Sequence, residues 1–511
     1  MNNRAPVPLP DGWRWSPHRR RGGPFTAVVL GLLLVLSAGV ARSDYDRTAG
    51  NFGTSLQASV TGGSSFTEWN STRNILRTEI KLAIGVPLAV KPANPTGRGI
   101  DVAVIDTGVA PVKYLDSADA VINGPDLSLD RQLGLPTAVD AYGHGTHLAG
   151  IIAGRDAGVA PGSRIVNLKV GAADGAVDVS QVIAAIDWVV THRADPGFNI
   201  RVINLAYGTD GTQSYLDSPL THAVESAWRA GIVVVVAAGN SGGALAMPAT
   251  DPFVVTVGAA DLNDPRQTAD DVVAPYSAVG TTARGVDLLA PGTSITSLRV
   301  PGGYVDTTYP ESRFNFAGTT YAKGSGTSQA AAVVSGAVAL LLEAHPEMTP
   351  DQVKAMLKST ARPLAGTSAN AQGAGVIDVG KALAAKVPAA GTARQRWKVS
   401  TGRGPIEAAR GDAHLVADDG TVLSGEVDLL GQPWNGSVWA PLSTAGAAWA
   451  GGTWNGNVWT GTGFETSLTV DGVAWTGRTW RSATWTGRTW RADVWTGHTW
   501  YGRTWRSDGW A

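Results

Sequence analysis

Four residues in glycine-bearing settings together suit nucleophilic chemistry. They are Asp106 in Asp106-Thr107-Gly108, His144 in Tyr142-Gly143-His144-Gly145-Thr146-His147, Asn240 in Gly239-Asn240-Ser241, and Ser328 in Gly326-Thr327-Ser328. A serine hydroxyl attacks a carbonyl only when a base removes its proton. An imidazole suits that task near neutral pH, and a carboxylate fixes the imidazole's tautomer and stabilises its cation. Ser328 is therefore the expected nucleophile, His144 the base and later the acid, and Asp106 the orienting carboxylate. The oxyanion that develops needs donors, and the Asn240 side chain and the Ser328 backbone N–H are the candidates. Each residue also has a plainer use. Thr327 or Ser328 can simply cap a core helix, Asp106 and Asn240 suit turns, and His147 competes with His144.

Such side chains must be held at one edge by a rigid scaffold. From Thr96 onward, short apolar runs alternate with amphipathic segments: Val102–Ile105, Arg164–Val170, Val202–Leu205, Ile232–Ala238 and Phe253–Ala259 read as strands. Val179–His192, opened by Asp178, and Pro219–Ala230, opened by Ser218, read as helices, as does the run that follows His144. Continuous apolar strands separated by helices predict an α/β fold, a doubly wound and mostly parallel sheet with helices on both faces. Ligands bind such sheets outside the carboxyl ends of the strands. Asp106 and Asn240 both follow strands at that edge, and Ser328 opens the apolar segment Ala331–Leu342, where helix N–H groups favour negative charge.

The motifs resemble those of the subtilisin-like serine peptidases. The matching stretches are Asp106-Thr107-Gly108-Val109, His144-Gly145-Thr146-His147-Leu148-Ala149-Gly150, Ala238-Gly239-Asn240 and Gly326-Thr327-Ser328, supported by Gly158-Val159-Ala160-Pro161 and Leu289-Ala290-Pro291-Gly292. The order Asp, His, Ser is the family's own. The resemblance spans Thr96 to Ala385. It implies an endopeptidase acting on protein or peptide substrates through an acyl-enzyme at Ser328, without a cofactor. It also implies substrate lying as an added strand beside Ala206-Tyr207-Gly208. Gln329 and Ala332-Val333 depart from the family pattern but keep a small, packed helix; Tyr207 departs at the substrate strand. The short segment between Gly150 and Gly158 predicts no calcium there, and no metal is expected.

Composition bounds the rest. With 511 residues, 43% of them hydrophobic, the chain is long enough for a sizeable core and more than one part. A formal net charge of -1 gives no overall drive toward nucleic acid, which is not expected as a partner. The absence of cysteine excludes disulfides, thiolate metal sites and a cysteine nucleophile.

His18-Arg19-Arg20-Arg21 precedes the apolar run Phe25–Val40 and the small residues up to Ala41, the pattern of an export signal cleaved after Ala41. An uncleaved membrane anchor is the alternative. Residues 42–95 are polar and read as an arm or short propeptide. The peptidase domain is expected over 96–385, and a linker with a few strands over 386–430. Residues 431–511 form a tail in which tryptophan recurs at intervals of five, as at Trp434 and Trp439 and from Trp475 to Trp510. An odd interval throws successive indoles to opposite faces of a strand, so one-sided burial demands a turn in each unit. The tail is expected as β-rich, built of short strands and tight turns. Either the indoles form a structural spine, or they combine with Arg478, Arg481, Arg488, Arg491, Arg503 and Arg506 to dock on a cell-envelope polymer.

Overall fold

The computed structural model describes residues 74–88, 94–128, 130, 138–411, 414–415, 422–460, 463–464, 469–470 and 473–474. The expected export signal, the start of the arm and the repeats from Trp475 onward lie outside these residues.

The described chain opens with strand β1 (Ile75–Leu76) and helix α1 (Arg77–Ala83), then alternates strands and helices. These are β2 (Asp101–Asp106), β3 (Val121–Asp126), α2 (His144–Ala153), β4 (Arg164–Lys169), α3 (Val179–His192), β5 (Ile200–Leu205), α4 (Pro219–Arg229), β6 (Val233–Ala237) and β7 (Val255–Asp261). Next come β8 (Val272–Val273), β9 (Leu288–Pro291), β10 (Ile295–Ser297), α5 (Tyr304–Thr308), β11 (Arg313–Phe316), β12 (Thr319–Gly324), α6 (Thr327–Ala344) and α7 (Pro350–Thr360).

The core is a parallel sheet in the order β3-β4-β2-β5-β6-β7, with β9 beside β7 and β8 antiparallel on it. Every residue of β2 and β6 is buried, which is why β6 and the stretch Val102–Ile105 of β2 are continuously apolar rather than alternating. Helices α2 and α6 pack on each other, and α6 lies along β5, β6, β7 and β9; α3 and α4 form a second helical pair against β2 and β6. The strand order reverses about β2: β3 and β4 lie to one side, β5 to β7 to the other. The carboxyl ends of β2 and β5 therefore flank the crevice where such sheets take ligands. Helix α6 is long and apolar, and it is buried from Thr327 through Leu342 as the core helix of the sheet.

The flanks pack on the domain. Within the expected arm or propeptide, residues 74–88 are docked: β1 pairs with β10, and Ile80 and Ile84 are fully buried. Arg77 reaches the Gly150 carbonyl and Asp156. Among the described residues of 386–430 there are short helices and no strand. These residues lie along the domain, with Gln395 bonded to Asp351 and Phe253, and they include the short helix Ile406–Arg410. Finally, the first tryptophan pair is not on strands. Asn435 caps the helix Gly436–Thr444 by accepting from the Ser437 and Val438 N–H groups.

Candidate active site

Asp106 is the last residue of β2 and has no solvent exposure. Its Oδ1 accepts from the Thr107 N–H at 2.8 Å and the Thr107 hydroxyl at 3.1 Å. Both carboxylate oxygens face His144 Nδ1, at 3.0 and 3.1 Å. A carboxylate only accepts, so Nδ1 carries the proton and Nε2 is left as the base. Burial pushes the Asp106 carboxyl up to about 6, against the pull of His144 and the Thr107 bonds. Near neutral pH it is still ionised.

His144 is the first residue of α2, and the turn before it is held by Asp140, a residue that motif reading passed over. Asp140 Oδ1 accepts from the N–H groups of Tyr142 (3.0 Å) and Gly143 (2.7 Å); Oδ2 accepts from the Thr146 N–H (2.8 Å) and hydroxyl (2.7 Å). An acidic residue just ahead of a helix start is the signal that would have found it. Gly145 follows for a steric reason: a Cβ there would collide with the Gly108 carbonyl and crowd Asp106. The Thr107 hydroxyl accepts from the Gly145 N–H at 2.9 Å, tying the end of β2 to the start of α2.

His147 lies one turn further along α2 and is fully buried. Burial, and then the charges of His144 and Arg77, hold its imidazole well below the ordinary range. Of the two histidines that compete in the sequence, His144 is the one paired with Asp106.

Asn240 follows β6 through Gly239, whose φ of 108° turns the chain off the strand end. Its Oδ1 accepts from the Thr327 N–H at 2.8 Å and the Thr327 hydroxyl at 2.9 Å, and that hydroxyl accepts from the Gly239 N–H at 3.1 Å. With the carbonyl end of the amide so occupied, Nδ2 is the end turned to donate. Ser328 is the second residue of α6, 1% exposed, in the first turn where the helix itself offers the backbone N–H no acceptor. Gln329, Ala332 and Val333 are all fully buried in the same helix, as expected of a packed segment.

Ala206-Tyr207-Gly208 leaves the end of β5, but the Tyr207 side chain does not open onto a cleft. It is 1% exposed, with Asp178 and Arg410 among the charges around it. Residues 298–323 meet the turn before His144 through α5: the Tyr304 and Val305 N–H groups donate to the Ala141 and Tyr142 carbonyls, and Tyr304 stacks on Tyr142 at 5.1 Å. Among the described residues there is no cluster of three or more His, Cys, Asp or Glu side chains suited to a metal ion.

The C-terminal segment covers the outer face of α3 and α4. Asp187 of α3 accepts from Trp439 Nε1 (2.7 Å), Trp454 Nε1 (2.9 Å) and the Ser443 hydroxyl (2.6 Å); Trp449 Nε1 donates to the Ala184 carbonyl at 2.8 Å. The four tryptophans 434, 439, 449 and 454 are buried.

The family model described as the subtilase family matches residues 97–375. The serine protease AprX of Bacillus subtilis (strain 168) is 36% identical over 299 residues, covering 55% of this chain and 66% of that protein. Subtilisin Savinase of Lederbergia lenta is 33% identical over 293 residues, covering 55% of this chain and 90% of the relative. Among solved structures, fervidolysin from Fervidobacterium pennivorans, titled a keratinolytic enzyme related to subtilisin, is 28% identical with a TM-score of 0.47. That likeness covers 60% of this chain and 45% of that one.

Proposed function

The chain belongs to the subtilase family, and from that membership we propose that it is an exported serine endopeptidase in which Asp106, His144 and Ser328 form the catalytic triad. The observation that carries this reading is the buried pair between both Asp106 oxygens and His144 Nδ1. In the proposed reaction His144 Nε2 takes the proton of Ser328 as its oxygen attacks the scissile carbonyl, and Asp106 stabilises the imidazolium. The oxyanion is met by Asn240 Nδ2 and the Ser328 N–H. His144 then passes its proton to the leaving amine, and water, activated by the same imidazole, releases the acyl group from Ser328. Substrate lies as an added strand beside the backbone of Ala206-Tyr207-Gly208.

The test is labelling of the purified protein by a serine-directed fluorophosphonate. Labelling that disappears in both Ser328→Ala and His144→Ala is expected; a folded wild type that resists the probe overturns the reading. Export rests on the basic and apolar N-terminal pattern, and a secreted protein beginning at Arg42 is its expected product. Docking on a cell-envelope polymer is proposed only for Trp475 to Trp510, because Trp434, Trp439, Trp449 and Trp454 are buried inside the protein. A chain ending at Thr460 should lose co-sedimentation with cell walls; equal pelleting of both chains sinks that idea.

A further inference from the structure

Arg410 lies beyond the family-matched region, at the end of the helix Ile406–Arg410, and is fully buried. All three of its nitrogens are engaged. Nε donates to Asp178 Oδ2 at 2.6 Å, Nη1 to Glu407 Oε2 at 2.5 Å and the Gly425 carbonyl at 3.1 Å, and Nη2 to the Val427 carbonyl at 2.7 Å.

Its main partner closes the segment 170–178 that leaves β4. Asp178 caps α3, accepting from the Ser180 N–H at 2.9 Å, while its own N–H donates to Gln181 Oε1 at 2.6 Å. Gln181 Nε2 in turn donates to the Val170 carbonyl at 3.1 Å, and the Val170 N–H donates to the Asp106 carbonyl at 2.8 Å. On the other side, the same helix meets the segment that leaves β5. The Thr209 hydroxyl donates to the Ala409 carbonyl at 2.7 Å, and Gly211 passes so close to the Ala408 carbonyl that a side chain there would collide with it. Tyr207 is buried within the influence of both Asp178 and Arg410. One guanidinium and one helical turn thus tie the chain leaving β4 to the chain leaving β5. Since β2 lies between those two strands, the segments stand on either side of Asp106.

We propose that Arg410 is a positioning residue for peptide recognition, holding segments 170–178 and 206–211 at the separation that an extended substrate needs. The proposal rests on the peptidase reading above. Arg410 does not touch the reacting atoms; it acts through Asp178 and through the backbone that follows Tyr207. A planar fork with several fixed donors is required for this, and a lysine ammonium at the same place cannot reproduce it. An added strand is bound by main-chain hydrogen bonds, which are lost over displacements well under 1 Å.

The experiment compares two substrates in the full chain: p-nitrophenyl acetate, too small to use either segment, and a tetrapeptide amide that spans both. The readout is the ratio of their kcat/KM values, which a uniform loss of folded enzyme does not move. Arg410→Lys and Arg410→Met are expected to lower the tetrapeptide-to-ester ratio by roughly 10- to 100-fold. Thr209→Val removes one hydrogen bond, keeps the guanidinium, and serves if the Arg410 variants do not fold; it is expected to lower the ratio by about 3- to 10-fold. An unchanged ratio in Thr209→Val, or in a folded Arg410 variant, overturns the proposal. A wild type that hydrolyses neither substrate, or whose turnover survives Ser328→Ala, overturns the peptidase reading instead.

Discussion

The edge where β2 meets α2 and the outer face of α3 both bury acidic side chains, and they neutralise them by different means. At the β2–α2 edge, the partners of Asp106 and Asp140 are neighbours in the same motif or lie at most 38 residues away. On the α3–α4 face, beside local bonds from Ser180 to Asp178 and Arg229 to Glu225, partners come from 175 to 267 residues further along the chain: Ser400 on Glu225, Arg410 on Asp178, and Trp439, Ser443 and Trp454 on Asp187. The first region is built to place reacting atoms. The second is built to hold a late segment of chain against an early one. Polar chemistry written inside one motif can be read from that motif, whereas a carboxylate whose donors arrive from a remote segment looks like any other helical Asp.

Substitutions should separate the two regions. Asp106→Asn is expected to lower kcat on the order of 10^4-fold, a magnitude borrowed from related triads, while leaving the denaturation midpoint close to wild type; a small kinetic effect would mean that the His144 tautomer is set elsewhere. Asn240→Ala should lower kcat by roughly 10^2- to 10^3-fold with little change in KM, again by analogy with subtilisin. In the other region, Asp187→Ala strands two indole N–H groups and the Ser443 hydroxyl, and should cost roughly 2–5 kcal/mol in urea denaturation with ester turnover unchanged. Loss of turnover without loss of stability there would erase the distinction. The pH dependence comes next. Asp106 takes up a proton as pH falls through about 6 and then no longer supports an imidazolium, so activity present above that pH should drop about tenfold per unit below it. A profile flat to pH 5 would contradict the assignment. Smallest of all, Asn435→Ala should cost about 1 kcal/mol through loss of the helix cap.

The contrast sharpens within the tryptophan series itself. Trp434-Asn435-Gly436-Ser437-Val438-Trp439 and Trp454-Asn455-Gly456-Asn457-Val458-Trp459 share one pattern. The first opens a helix at Asn435. The second turns between the strands Thr453–Trp454 and Asn457–Thr460, with Asn455 at φ 44° and Gly456 at φ 77°, both left-handed as a two-residue hairpin turn demands. Asn suits a helix cap and a left-handed turn equally well, so the local pattern does not choose between them. What differs is the surface each copy lands on. Trp439, at the end of the first copy, and Trp454, at the start of the second, approach the same Asp187 from different segments.

By itself the sequence determined the alternation of buried strands and helices, the edge at which Asp106 and Asn240 emerge, and Ser328 at the head of a largely apolar helix. Those follow from apolar periodicity and from glycine-bearing turns, both of which act over a few residues. It underestimated β3, Val121–Asp126, because Asn123, Gly124 and Pro125 interrupt its apolar run. Only the tertiary structure showed that His144 is paired with Asp106 while His147 is buried apart, that Asp140 holds the turn before it, and that residues 74–88 and the described residues between 395 and 454 belong to the packed protein. Each depends on which surfaces come together after the sheet is formed. Burial turns an ordinary Asp187 or Arg410 into a group that must find a partner, and the chain does not state where that partner comes from until it is folded.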